Sequence, residues 1–403
     1  MPTVPLPIQI EDEKDWNALA KAQGVQGVSI YQLTKYESAS KIGDAQYLAL
    51  RALWKRNKKG LLKPCDWGLQ GVETARQKLS ELTHWKPFIE AVPLHVPVDE
   101  ILPITHDLGE FKLIWYYGQL IRGAPSAPDN EDNLAFTPIS KRTRSRTWQP
   151  DYQALLETPT RPCKTNLQCS LTEMSLENAQ AQGLEITPST IFSPATPEDD
   201  VDQDPDYDGS ARDVFPPVSD ENVVNTYLVG FASLLTLSAP GISAHWSQER
   251  KGYKVSDKQG TKLYEARTDG HLFLSNGKES KAIVEVKAMV REDSSRVMMQ
   301  ETAEMAAWIH AEPDEISIST PKNTRFRRLL FSENRHEIYL IIADYDADYV
   351  DYLTNPGRES DCQSFLTMNE FGPWDIASAE DVEDIASIIR AVTLQFSKGR
   401  SLT

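Results

Sequence analysis

Cysteine is scarce and scattered: Cys65, Cys163, Cys169 and Cys362 include no Cys-x-x-Cys pair. That argues against a disulfide framework and against a structural zinc site of the usual spacing. No His-Glu-x-x-His occurs among the seven histidines, and no Gly-x-Gly-x-x-Gly or phosphate-loop motif is present. Zinc-peptidase and nucleotide-cofactor chemistry are therefore without support. No apolar run reaches the length of a membrane span, and the start, Met-Pro-Thr-Val-Pro, lacks the charged and apolar regions of a secretory leader. The expected setting is intracellular, nucleus or cytoplasm, with no membrane. Positive charge is also short, with 42 Lys+Arg against 59 Asp+Glu and a net charge of −17. Such a chain is a poor indiscriminate binder of nucleic acid, because phosphate contacts need cations. The deficit is uneven: residues 242–336 hold 16 Lys+Arg and 14 Asp+Glu, so the acid excess lies elsewhere.

Within that balanced stretch, Asp269 is followed after fifteen residues by Glu285-Val286-Lys287. The run Lys281–Lys287 is β-branched and reads as a strand. Side chains alternate along a strand, so Ile283, Glu285 and Lys287 share one face and Ala282, Val284 and Val286 the other. Two opposite charges on a largely apolar strand are costly unless they act together. Asp269 ends a second expected strand, Leu263–Thr268, and Gly270 permits a bulge or bend. Hairpin pairing of these two strands is expected to bring Asp269 beside Glu285. Two carboxylates there suit a small hard cation, Mg²⁺ or Mn²⁺, and Lys287 would orient water or hold a phosphate. The plainer reading is an amphipathic strand with a solvated polar face. His271 reaches the same face by alternation, though a structural histidine is the simpler account.

The surroundings favour the functional reading. Ser219-Asp220-Glu221-Asn222 precedes the apolar run Val223–Leu237 and reads as a capped helix start. A further helix is expected from about Ser294 to Ile309, then a strand over Glu337–Ala343, giving the order helix, three strands, helix, strand. On these residues the sequence resembles the PD-(D/E)XK nuclease superfamily, in particular its fungal nuclease-like branch. Thr268-Asp269-Gly270, Glu285-Val286-Lys287 and Gln300-Glu301-Thr302-Ala303-Glu304 with Trp308 carry the likeness, as do Glu337–Leu353 and Ser364–Trp374. It covers about residues 215–398, with Thr268 where the superfamily name has proline. The resemblance implies a restriction-endonuclease-like α/β fold, a mixed sheet flanked by helices. It implies that Asp269 and Glu285 bind metal, that Lys287 is catalytic, and that Gln300 faces the site from the following helix. Glu221 stands where many members carry an extra acid, with Asp220 and Asn225 competing for that place. The implied activity is metal-dependent hydrolysis of phosphodiesters, with DNA as the expected substrate and RNA or a small molecule as alternatives. The other reading keeps the fold without nuclease activity, as a binding module or an enzyme acting on a small molecule.

Lys322, Arg325, Arg327 and Arg328, interleaved with Phe326, are the candidate nucleic-acid clamp; a solvated loop or helix face explains them equally well. On the helix holding Gln300, Arg296, Gln300, Ala303 and Ala307 form a polar, small-residue edge. Residues 1–122 are expected to be mainly helical, with helices over Glu11–Gln23, Asp44–Lys59, Gly71–His84 and Gly109–Arg122. The cations Lys55, Arg56, Lys58 and Lys59 would complement a helix C-terminus, with Gly60 as the stop. From 123 to 214, Pro, Ser, Thr, Asn and Asp replace the aliphatic pattern, the composition of a disordered linker. That stretch holds the basic cluster Lys141–Arg146 and the acidic run Glu198–Asp208. Beyond Glu337–Ala343, Tyr349–Leu353 is read as a further strand, and a last helix begins near Ser378.

Overall fold

The computed structural model describes residues 6–7, 9–123, 220–237, 239–277, 279–291, 295–317, 320–321, 323–356 and 363–402. One unit is drawn from Met1–Ala127 and Asp213–Thr403; a second, Pro128–Arg212, lies wholly outside the described residues. So do the expected linker beyond Gly123 and both of its charged clusters.

In chain order, the first unit begins with helices α1 (Glu13–Ala22) and α2 (Asp44–Ala49) and strand β1 (Ala52–Lys58). Helices α3 (Val72–Ser80), α4 (Trp85–Ala91) and α5 (Lys112–Arg122) follow. After the undescribed stretch come α6 (Glu221–Leu237) and strands β2 (Ala244–Ser247), β3 (Gly252–Ser256), β4 (Lys262–Arg267), β5 (Gly270–Leu274) and β6 (Ser280–Lys287). The chain continues through α7 (Ser295–Ala311), β7 (Arg325–Asn334), β8 (Glu337–Asp346), α8 (Ala347–Thr354), β9 (Leu366–Asp375) and α9 (Ala379–Ser397).

Seven strands form one mixed sheet in the order β1-β9-β8-β7-β6-β5-β2; β3 and β4 make a separate two-stranded hairpin. Pairings β1–β9 and β6–β7 are parallel and the others antiparallel. The central strands are buried on both faces, so they read as nearly continuous apolar runs rather than alternating ones. In β8, for example, Ile338 to Ala343 are all buried. On one face α6 and α9 pack with α4 and α5, putting Phe231, Ile389 and Phe88 in one cluster with Val284, Phe331 and Leu340 of the sheet. The other face is covered by α7 and the N-terminal segments, where Trp16, Trp54, Met305 and Trp308 meet Ile283, Leu330 and Ile341. Helix α7 is buried nearly all round, as expected for a helix between two layers. Its Ala303 and Ala307 lie in the core, so the edge expected from Arg296 to Ala307 is not a polar surface. Trp54 Nε1 donates to Thr302 Oγ1 at 2.9 Å, tying β1 to the helix that carries Gln300.

Several expectations are met. The helix expected over Glu11–Gln23 forms as α1, Asp220 accepts the backbone N–H of Asn222 at the start of α6, and Ser378 caps α9. Others are corrected. The expected helix over Asp44–Lys59 stops at Ala49, and the chain turns through Arg51, at φ 51°, into β1. The N-terminal region is therefore not purely helical, and Lys55, Arg56 and Lys58 sit on an edge strand rather than at a helix end. Tyr349–Leu353 belongs to α8, because the Asp346 side chain accepts the Tyr349 N–H at 2.9 Å and starts a helix. Five strands rather than three separate α6 from α7. Among the described residues, no helix is long and apolar enough to cross a membrane.

Candidate active site

Asp269 follows β4, but β4 pairs with β3 alone, so the expected hairpin of β4 with β6 does not form. The approach to Glu285 is made by β5 instead. Gly270 pairs with Val284, and the Asp269 N–H donates to the Val284 carbonyl at 2.9 Å. Asp269 Oδ2 accepts the Val286 N–H at 3.1 Å, so the carboxylate is anchored to the backbone of the strand that carries Glu285 and Lys287. Gly270 serves close approach rather than a bend. A Cβ there would lie 2.6 Å from the Ser247 carbonyl oxygen and 3.1 Å from Val229 Cγ2. From the β2–β3 loop, Arg250 Nη2 pairs with Asp269 Oδ1 at 2.9 Å.

Strand alternation sets Glu285 and Lys287 on the α7 face beyond Ile283, as the sequence predicts. Lys287 Nζ donates to Glu285 Oε1 at 2.6 Å and lies 3.8 Å from Glu221 Oε1 at the start of α6. Gln300 Nε2 donates to Glu285 Oε1 and to Glu304 Oε1, bridging the two carboxyls. Asn225, one turn beyond Glu221, donates to the Asp269 carbonyl at 2.9 Å. Asp269, Glu285, Lys287, Gln300 and Glu221, proposed from sequence, thus converge from four segments of chain. Asn225, a competitor of Glu221 for that place in the sequence, joins them through its bond to Asp269, whereas Glu304 and Arg250 were missed as site residues. Glu304 is four residues from Gln300, the spacing that places two side chains on one helical face, and could have been found by it.

Burial dominates the electrostatics. Glu285, 1% exposed, is raised well above the ordinary glutamate range, first by desolvation and then by the charge of Glu304. Desolvation likewise pushes Glu304 up to about 8; Asp269 and Glu301 add to this, while Gln300 and Lys287 offset part of it. Glu221 is raised, again chiefly by burial, with Lys287 pulling the other way. For Lys287 burial alone would lower the pKa, but Glu285, Glu221 and Asp269 outweigh it and keep the ammonium protonated. Lys287 is consequently a donor and point cation, not a proton acceptor.

A divalent cation suits this donor set. Glu285 Oε2 and Glu304 Oε2 are buried without a hydrogen-bond partner, a costly state that a proton or a hard cation relieves. Asp269, Glu285, Glu304 and Glu221 face two protein cations, Lys287 and Arg250. If all are ionised, the two surplus negative charges equal those of one divalent ion. Among the described residues, no three or more His, Cys, Asp or Glu side chains stand together as a ready cage for a metal ion. Arg250 and Lys287 instead engage one oxygen each of Asp269 and Glu285.

The expected clamp is not at this site. Glu285 is level with Ser332 on β7, whereas Arg325, Arg327 and Arg328 lie four to seven residues earlier, about 13 to 23 Å along the strand. Arg325 pairs with Asp344 at 2.6 Å, Arg327 lies over Trp67, and the buried Arg328 pairs with Asp314 at 3.1 Å over Trp308. Lys322 is outside the described residues. His271 is a buried structural residue whose Nδ1 is 3.0 Å from Ser280 Oγ. Comparison with family models, with curated proteins and with solved structures gives no match.

Proposed function

We propose that this protein is a metal-dependent phosphodiesterase with a restriction-endonuclease-like core of the PD-(D/E)XK type, acting on DNA. One observation carries the reading: Asp269 and Glu285 are held together by the β5–β6 ladder, with Lys287 on Glu285 and two buried carboxyl oxygens left without partners. The mixed sheet with helices on both faces is compatible with that core.

Asp269 and Glu285, with Glu304 beside them, would hold Mg²⁺ or Mn²⁺. When bound, the ion acidifies water and neutralises charge developing on the phosphate. The protein's own groups do the rest. Backbone N–H donation from Val286 keeps Asp269 from rotating away. Gln300 fixes one oxygen of Glu285 and leaves the other available. Lys287, kept protonated by its acidic neighbours, donates to a phosphate oxygen or to the lone pair of the attacking water, orienting it. Glu221, partly exposed at the start of α6, gives the ammonium a second acidic neighbour.

The test is nicking of plasmid DNA by the purified chain with Mg²⁺ or Mn²⁺, which Lys287→Ala is expected to reduce by about 10²-fold or more, in line with loss of one preorganised donor. Robust cleavage by that variant removes the mechanism. A second reading, the same core without hydrolysis, draws on the engagement of Asp269 and Glu285 with Arg250 and Lys287. Calorimetry separates the two: metal followed by duplex binding fits the nuclease, metal alone a small substrate, and neither a binding module.

A further inference from the structure

We propose that the outward face of the β3–β4 hairpin is the phosphate-backbone track along which a nucleic acid reaches the carboxylate cluster; the identity of that cluster rests on the hydrolytic reading above. From Arg250 to Arg267 the chain carries six cations, at Arg250, Lys251, Lys254, Lys258, Lys262 and Arg267, against only Asp257 and Glu265. In a protein of net charge −17 this is a local reversal of sign.

The hairpin presents these charges in one direction. Tyr253, Val255, Tyr264 and Ala266 are buried toward α7, where the Tyr264 hydroxyl donates to the Ala303 carbonyl at 3.1 Å. Alternation sends the intervening positions outward, and Gly252 pairs with Arg267, Lys254 with Glu265 and Ser256 with Lys262. Lys254, Lys262 and Arg267 are exposed on that face, and Lys258 is exposed at the tip. Both acids are already engaged. Glu265 accepts from Lys262 at 3.2 Å and from Arg267 at 2.8 Å. Asp257 accepts the N–H groups of Gln259 and Thr261, closing the turn.

The stripe begins at the site itself. Arg267 is two residues from Asp269, and Arg250, at the other foot of the hairpin, touches its carboxylate. From Gly252 to Ser256 the ribbon rises about 13 Å. That is the axial length of about four nucleotides of one strand in a duplex. A backbone lying on the hairpin is thereby delivered to Lys287 from one side.

The test is fluorescence anisotropy in EDTA with a labelled duplex and a single strand, each of about 20 nucleotides, between about 50 and 200 mM salt. Lys254→Gln/Lys262→Gln/Arg267→Gln is expected to raise Kd at low salt about tenfold or more. It should also reduce the salt slope by about 2.7 for the duplex or about 2 for the single strand. The cation-preserving set Lys254→Arg/Lys262→Arg/Arg267→Lys should retain wild-type binding, and Arg325→Gln, at the other end of the sheet, should leave the slope unchanged. An unaltered slope and Kd in the triple glutamine variant, with circular dichroism like wild type, overturns the track. If wild-type protein binds with the full slope yet never cleaves, the hydrolytic reading falls and the track stands. If wild-type protein does not bind, the track falls as well.

Discussion

Glu304→Gln should make the metal-free protein more stable while removing its affinity for divalent ions. Glu304 is 1% exposed, and its carboxyl is pushed up to about 8 from an ordinary value of 4.5, chiefly by burial. Between those two values the folded protein keeps a proton that the unfolded chain has lost, so stability is full below about 4.5 and declines as pH rises to about 8. At pH 7 the decline has run over about 2.5 units at 1.36 kcal/mol each, or about 3 kcal/mol. An isosteric amide does not titrate and still accepts from Gln300, so the variant escapes the loss. At about 2 °C per kcal/mol for a domain of this size, its melting temperature should exceed wild type by about 6 °C at pH 7. At pH 5 the gap should shrink to about 1 °C, since only about half a pH unit separates that pH from the unfolded value. Thermal melts of both proteins in EDTA across pH 5 to pH 8 supply the comparison. A gap that does not widen with pH, or a variant less stable than wild type at pH 7, refutes the account of a carboxyl held under strain by burial.

Manganese should raise the wild-type melting temperature more at pH 8 than at pH 6, because protons compete for Glu304 and Glu285; equal shifts at both would count against their role as ligands. Gly270→Ala should cost about 1–3 kcal/mol, since its methyl meets the Ser247 carbonyl at 2.6 Å. Denaturant unfolding measures it, and a neutral result would mean that the β2–β3 loop yields freely. Arg291 is buried between Glu301, at 2.5 Å, and Glu370, at 3.0 Å. Arg291→Met leaves Glu301 without its cation and Glu370 with Arg56 alone, and should cost about 3–5 kcal/mol in the same assay, while Arg291→Met with Glu301→Gln recovers part of it.

What the sequence made legible was set by local periodicity. Alternation in Lys281–Lys287 placed Glu285 and Lys287 on one face, and the capping pattern at Asp220 set the start of the helix that presents Glu221. Pairing partners were not legible, because register depends on residues far away in sequence. Hence Leu263–Thr268 was read as the strand that brings Asp269 to Glu285, whereas Gly270–Leu274 does so. In Asp44–Lys59 a short helix abuts a strand, and Tyr47, Leu50, Leu53 and Trp54 keep helical spacing across the join. Arg325 to Arg328, read as a clamp or as a solvated loop or helix face, begin a strand instead; their cations precede the two-sided apolar run Leu329–Phe331, which lacks alternation. For Glu304 the spacing of four from Gln300 was the one signal, since a helix buried on every side has no polar face to mark which acid is aimed inward.

The parallel ladder of β1 with β9 joins residues 314 positions apart, as in the ion pair of Arg56 with Glu370. On a ribosome, β1 emerges long before any partner exists and must wait until β9 has been made. Until then Trp54 has no sheet edge to dock on, and the helix bearing Gln300 lacks the Thr302 contact that Trp54 supplies. Assembly of the acid cluster is therefore tied to completion of the chain through β9, and nascent or truncated forms should be inert toward whatever the finished site attacks.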